Sequence, residues 1–172
     1  MSTYTPGPLQ ASIEKHEGGK WTLILERELR QEPAKVWAAL TDPAQLREWA
    51  PFETDAPMAA EGTVNLTWSG TQQQVATRIT RAEAPRVLEY GDMRWELEPN
   101  GAGTRLKLWH SIDRRYIAMG TAGWHVSLDV LDGMLGGAPV NRGEAMKSGW
   151  QKLFAEYSAK FGIEMPKWGG AK

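Results

Sequence analysis

The sequence predicts an α+β fold in which a curved antiparallel sheet has its apolar face covered by C-terminal helices. Two observations lead there. Extended segments dominate up to Asp113 and helical spacing takes over beyond it, so the apolar period changes from about two residues to about 3.6. A run of strands followed by helices favours α+β over an alternating parallel sheet, and a sheet with one apolar face buries it against amphipathic helices.

Leu9 to His16 and Lys20 to Arg30 read as two strands joined at Glu17-Gly18-Gly19. In the second, Trp21, Leu23, Leu25 and Leu29 alternate with Thr22, Glu26 and Glu28, while Ile24 and Arg27 interrupt the pattern. Pro33 suits the first turn of a helix carrying Val36, Trp37 and Leu40 on its apolar side. Thr41-Asp42-Pro43 starts a second short helix, capped by an oxygen side chain and bearing Leu46 and Trp49, and Pro51 stops it. Further strands are expected at Thr63 to Trp68, Gln73 to Arg81, Arg86 to Tyr90, Arg94 to Glu98 and Thr104 to Ile112, the last two joined by a hairpin over Pro99 to Gly103. Ile117, Thr121, Trp124, Leu128, Leu131 and Leu135 then recur at helical spacing until Gly136-Gly137. Asn141 with Glu144 forms a start signal for a last helix striped by Met146, Trp150, Leu153, Tyr157 and Phe161 and closed by Gly162.

These elements make one domain over residues 9–164, with loose tails at 1–8 and 165–172. The 172 residues suffice for one real core. Lys and Arg number 20 against 21 Asp and Glu, so there is no net field to hold nucleic acid or an anionic membrane. The absence of cysteine excludes disulfides, thiolate metal sites and a thiol nucleophile, and fits the cytosol. Neither a signal peptide nor a window of ~20 apolar residues occurs. Nine tryptophans are the unusual feature, because such side chains fill cores or line ligand sites.

Glu26-Arg27-Glu28-Leu29, Pro33, Val36-Trp37, Leu40-Thr41-Asp42-Pro43, Leu46 and Trp49 resemble the opening of the SRPBCC (START-like) proteins related to the activator of the ninety-kilodalton heat-shock-protein ATPase. Gly103 to Leu106, Gly123-Trp124-His125 with Leu128-Asp129, and Trp150 to Phe161 resemble that family's last strand and final helices. The resemblance spans Trp21 to Gly162 and implies a helix-grip fold, a sheet wrapped around a long C-terminal helix with two small helices at one end and a cavity between. It implies little about activity, since the superfamily holds lipid carriers, hormone binders, polyketide cyclases and co-chaperone domains. The resembling eukaryotic co-chaperones also carry an additional N-terminal domain for which this chain has no room, so direct activation of a chaperone is expected to be absent or weak.

His125, Asp129 and Asp132 share one helix face, the one ligand-like stripe in the chain, and read as a solvated polar face; no metal and no cofactor are expected. Alternation puts Leu106, Leu108, His110 and Ile112 on the inward face of their strand, which makes His110 an inward polar group that has to be hydrogen-bonded or wetted. It is either structural or a polar anchor for a ligand. Arg27 interrupts its inward face in the same way and calls for a carboxylate or several carbonyls around it, through structural pairing or, alternatively, recognition of a ligand carboxylate. No nucleophile elbow, phosphate-binding lysine loop or dinucleotide fingerprint is present, and no catalytic residue is assigned. Trp37, Trp124 and Trp150 lie within helical apolar stripes, where packing is the ordinary role.

The resemblance places Trp49, Trp68 and Trp95 around a cavity mouth, and Leu108 and His110 with Trp124, Leu128 and Leu131 are expected to enclose its space. The first functional reading is therefore a binding module for a small apolar molecule. The alternatives are a co-chaperone-like protein-interaction domain, using an exposed patch, and a cyclase-like enzyme in which one histidine handles a proton.

Overall fold

The computed structural model describes Tyr4 and residues 6–69 and 71–163. Eight strands and four helices follow in the order β1 (Ala11–Glu14), β2 (Lys20–Leu29), α1 (Pro33–Thr41), α2 (Pro43–Trp49), β3 (Phe52–Thr54), β4 (Gly62–Trp68), β5 (Gln74–Glu83), β6 (Val87–Tyr90), β7 (Met93–Asn100), β8 (Gly103–Asp113), α3 (Ile117–Leu135) and α4 (Arg142–Phe161). The strands form one antiparallel sheet in the order β1-β2-β8-β7-β6-β5-β4-β3. This is the α+β architecture expected from the change of period, with helix-grip character. β3 escaped the sequence reading because three residues are too few to display an alternation.

Local chemistry sets the element ends as anticipated. Pro33 occupies the first turn of α1, and the Asp42 carboxylate caps α2 by accepting from Ala44 N at 3.1 Å. The Asn141 side chain caps α4 by accepting from Glu144 N at 3.0 Å, and Gly162 closes that helix at φ 70°, a left-handed conformation that costs glycine little.

Register then sorts the side chains between two faces. Leu108 of β8 sits between Leu25 and Trp95, and Leu106 between Arg27 and Leu97, so the concave face is a continuous apolar layer interrupted by Arg27. The opposite face carries cross-strand ion pairs, Arg105 with Glu28 at 2.8 Å and Lys107 with Glu26 at 3.8 Å, exposed pairs that stabilise a fold only slightly. α3 lies against β2 and β8 on the concave side, α1 against β7 and β8, and α4 packs along α3, so of the two long helices α3 is the one set against the sheet.

Arg27 finds the carboxylate it calls for: its Nη1 donates to Asp129 Oδ1 of α3 at 2.5 Å. The helix face read as solvated is therefore corrected, because His125 is fully buried and hydrogen-bonded to the Tyr157 hydroxyl at 2.7 Å, and Asp129 is mostly buried against Arg27; Asp132 alone of the three is exposed. Of the expected N-terminal tail, residues 1–3 and 5 lie outside the described residues. Tyr4 is placed and donates its hydroxyl to Asp129 Oδ2. In the expected C-terminal tail, 165–172, every residue lies outside the described ones, Trp168 included. No helix among the described residues is long and apolar enough to cross a membrane.

Candidate functional site

β8 leads through a single 3-10 turn, Arg114–Tyr116, into α3, so the end of the last strand and the first turns of the helix face one another. Alternation along β8 carries His110 and Ile112 to the same side as buried Leu106 and Leu108. Opposite them α3 contributes Met119, Gly120, Gly123 and Trp124, and across the gap stand Pro51, Trp68 of β4 and Val75 of β5. These residues border a cleft of about 620 Å³. Its wall is apolar save for His110, Thr71, Gln73 and the Tyr116 phenol. By contrast, the hollow beside the start of α4, about 290 Å³, is lined by Arg47, Glu48, Glu53 and Arg142.

Of the residues singled out from the sequence, Trp68, His110 and Trp124 come together on this cleft. Trp49, Trp95, Leu108, Leu128 and Leu131 are each at most 2% exposed and stand behind it. Trp49, Trp95 and Trp124 form one aromatic cluster with ring centroids 5.5 to 6.5 Å apart and edge-to-face or tilted geometry. Each indole N–H in that cluster is satisfied: Trp49 donates to Ala39 O, Trp95 to the Tyr90 hydroxyl, and Trp124 to His110 Nδ1, all at 2.9 Å. The cluster therefore fixes the position of Trp124, and Trp124 fixes the ring of His110.

Burial lowers the His110 imidazole from its ordinary 6.5 to about 4, an effect that the negative charge of Asp92 opposes and the Lys20 ammonium adds to. The ring is thus neutral at physiological pH. Trp68 lies nearly parallel to it, at 18° with centroids 6.5 Å apart, and is itself braced by Phe52 at 5.1 Å.

Lining residues that are not among the site candidates from the sequence include Val75, Ile112, Tyr116, Gly120 and Gly123, although Ile112 reads as inward. The two glycines had a legible signal. Glycine inside a helix costs about 1 kcal/mol relative to alanine, so a pair at 120 and 123 asks for a reason in space. At Gly120 a Cβ would meet Ile112 Cδ1 at 2.8 Å, and at Gly123 nothing lies nearer than Trp150 Nε1 at 4.0 Å. Val75 and Tyr116, 40% and 50% exposed, are the large apolar side chains left in the open among the described residues, and both border this cleft.

The buried polar cluster behind the cleft has a different character. Burial alone would raise the Asp129 carboxyl, but the His125 ring, whose Nε2 lies 3.4 Å from Oδ2, the Arg27 charge and hydrogen bonds from Tyr4 and Arg27 together hold it well below the ordinary carboxylate range. It ties β2, α3, α4 and the N-terminal segment together. Among the described residues no group of three His, Cys, Asp or Glu side chains is arranged to hold a metal ion.

Comparison with known proteins agrees with this architecture. No curated protein matches the chain. Solved structures with the same fold include a conserved protein of unknown function from Enterococcus faecalis, EF2215, 16% identical with a TM-score of 0.71 over 87% of this chain and 89% of that one. CalU16 from Micromonospora echinospora is 22% identical with a TM-score of 0.65 over 87% of this chain and 96% of that one. A Bordetella parapertussis protein, encoded by gene BPP1335, is 20% identical with a TM-score of 0.61 over 95% of this chain and 97% of that one. At these identities the likeness is one of fold. The family model described as "Activator of Hsp90 ATPase homolog 1-like protein" matches residues 30–158, from the end of β2 to the last turn of α4. Strands β3 to β8, the paired short helices and nearly all of the closing helices fall within that match, and the chain belongs to this family.

Proposed function

We propose that the chain binds a small apolar molecule in the cleft between β8, α3 and the β4–β5 hairpin. The observation that carries this reading is the concentration of exposed apolar surface, Val75 and Tyr116, at the mouth of a cleft of about 620 Å³ with one buried-side polar group, His110. A volume of this size lies within the roughly 300–1,000 Å³ typical of small-molecule sites, which are mostly apolar with a few placed polar groups. Burying roughly 200 Å² of ligand at about 25 cal/mol per Å² supplies about 5 kcal/mol before association costs, so micromolar affinity also draws on shape or a polar contact.

The test is a titration of intrinsic fluorescence with a naphthalene probe, because Trp68 and Trp124 both border the cleft. Gly120→Leu directs bulk toward Ile112, whose contacting atom is the end of a flexible side chain, and so fills the cleft from the helix side. Saturable quenching in the wild type and its loss in a variant that still melts cooperatively are expected. Unchanged binding in Gly120→Leu, or no response in the wild type to any apolar probe, would sink the proposal.

A second reading, a co-chaperone-like protein-interaction domain, is favoured by the family match over residues 30–158. It is tested by adding the protein to a purified ninety-kilodalton chaperone and measuring ATP turnover. Stimulation that survives Gly120→Leu would support an interaction surface separate from the cleft.

A further inference from the structure

The proposed site is more selective than its apolar wall alone suggests, because one of its groups has its protonation pattern set from behind. Indole N–H is a donor only, and Trp124 Nε1 lies 2.9 Å from His110 Nδ1. That hydrogen bond exists only if Nδ1 carries a lone pair, which places the proton of the neutral ring on Nε2. Trp124 cannot turn away to release Nδ1, since it is 2% exposed and wedged between Trp49 and Trp95. His110 makes no other side-chain hydrogen bond among the described residues, and its Nε2 is not one of the buried polar atoms left unpartnered. The free edge of the ring therefore opens on the cleft that His110 lines.

We infer that His110 meets the bound molecule with a fixed Nε2–H donor, so that the cleft selects apolar molecules carrying a hydrogen-bond acceptor, such as an aryl ketone, and His110 does not act there as a base. This rests on the cleft being the binding site. The neighbours of the ring are consistent with it. Leu23 and Met93 flank His110 across the sheet, Trp68 lies parallel to it, and the nearest influential charges, Lys20 and Asp92, pair with each other at 3.0 Å. The depressed pKa of the ring keeps it in the neutral form to which this tautomer belongs. A ligand with an acceptor at that edge satisfies the Nε2–H, whereas a hydrocarbon of the same shape leaves it desolvated and unpaired, and the difference falls on affinity.

Two measurements on the full chain test this. The first is long-range proton–nitrogen correlation of the imidazole nitrogens in the wild type, expected to show an unprotonated Nδ1 and a protonated Nε2 for His110 at neutral pH. The second compares 2-acetylnaphthalene with 2-isopropylnaphthalene, close in shape and different in their acceptor. The wild type is expected to prefer the ketone, and the ratio of the two dissociation constants should fall about three- to tenfold in His110→Phe. A protonated Nδ1, or the same ratio in both proteins, overturns the inference while binding of the hydrocarbon leaves the cleft standing as a site. Failure of both probes to bind the wild type overturns the binding reading and this inference with it. If His110→Phe does not fold, because Trp124 loses its acceptor, the tautomer measurement alone decides.

Discussion

Acidification from pH 7 to pH 5 should destabilise the protein through His110, by an amount that the structure lets one work out. The ring is held at about 4 in the folded chain against 6.5 when unfolded, chiefly because burial disfavours its cation. Protonation would also put a hydrogen on Nδ1, where the Trp124 N–H already points. Between these two values the unfolded chain binds a proton that the folded chain refuses, so stability falls as pH drops through 6.5 and the loss levels off below the folded value. At pH 5 the unfolded ring lies about 1.5 units above ambient, which at about 1.4 kcal/mol per unit gives about 2 kcal/mol. Urea denaturation at both pH values, for the wild type and His110→Gln, isolates this contribution because every other titrating group is common to the two proteins. The variant should be less stable at pH 7 yet lose about 2 kcal/mol less on going to pH 5. Equal losses would mean that His110 is solvated in the folded state, and the reasoning about its environment would be wrong.

Arg27→Met removes the guanidinium from Asp129 and leaves a mostly buried carboxylate with only the neutral donors of Tyr4 and Gly7; a loss of about 3 kcal/mol in denaturant titration is expected, and a loss near zero would show that the pair is solvated. Because the Asp129 carboxyl sits below its ordinary 3.8, its contribution is present above that value and is lost on further acidification, outside the window used for His110. Leu128→Trp puts bulk into a position only 2% exposed and away from the cleft, so it should cost ~1–3 kcal/mol by overpacking without blocking probe binding directly. Incubation with a chelator should leave the melting temperature unchanged; a large drop reversed by one divalent metal would show that the His125 and Asp129 cluster had been misread.

Much of the fold was legible locally. The period of two in β2 and β8 and the stripe of Trp124, Leu128 and Leu131 in α3 follow from which neighbours along the chain share a face. Caps at Asp42, Asn141 and Gly162 could be read from single residues, because an unsatisfied helix end is answered within a few positions. The inward placement of His110 and the need of Arg27 for a carboxylate or carbonyl partners came from the same alternation. The site was legible only in part. Trp68, His110 and Trp124 meet at the cleft, whereas Trp49 and Trp95, equally aromatic and placed by the same reasoning, are wholly buried behind it.

The sequence by itself determined the order of the elements other than β3, the apolar inward residues of the longer ones and, through a resemblance over most of its length, the family. The tertiary structure decided which inward residues face a partner and which face a gap. Arg27 is paired with a carboxylate of α3, 102 positions away, and a face that looks polar along the helix is thereby buried. The cleft lies where β8 turns directly into α3, with Gly120 and Gly123 on its helix side, where a Cβ at Gly120 would press on Ile112 of β8, and with the β4–β5 hairpin across the gap. The physical reason is range. Periodicity and capping are settled by neighbours a few residues apart, but a cavity is the volume left over when distant elements pack, and its lining is set by their mutual distance and not by any one segment's preference.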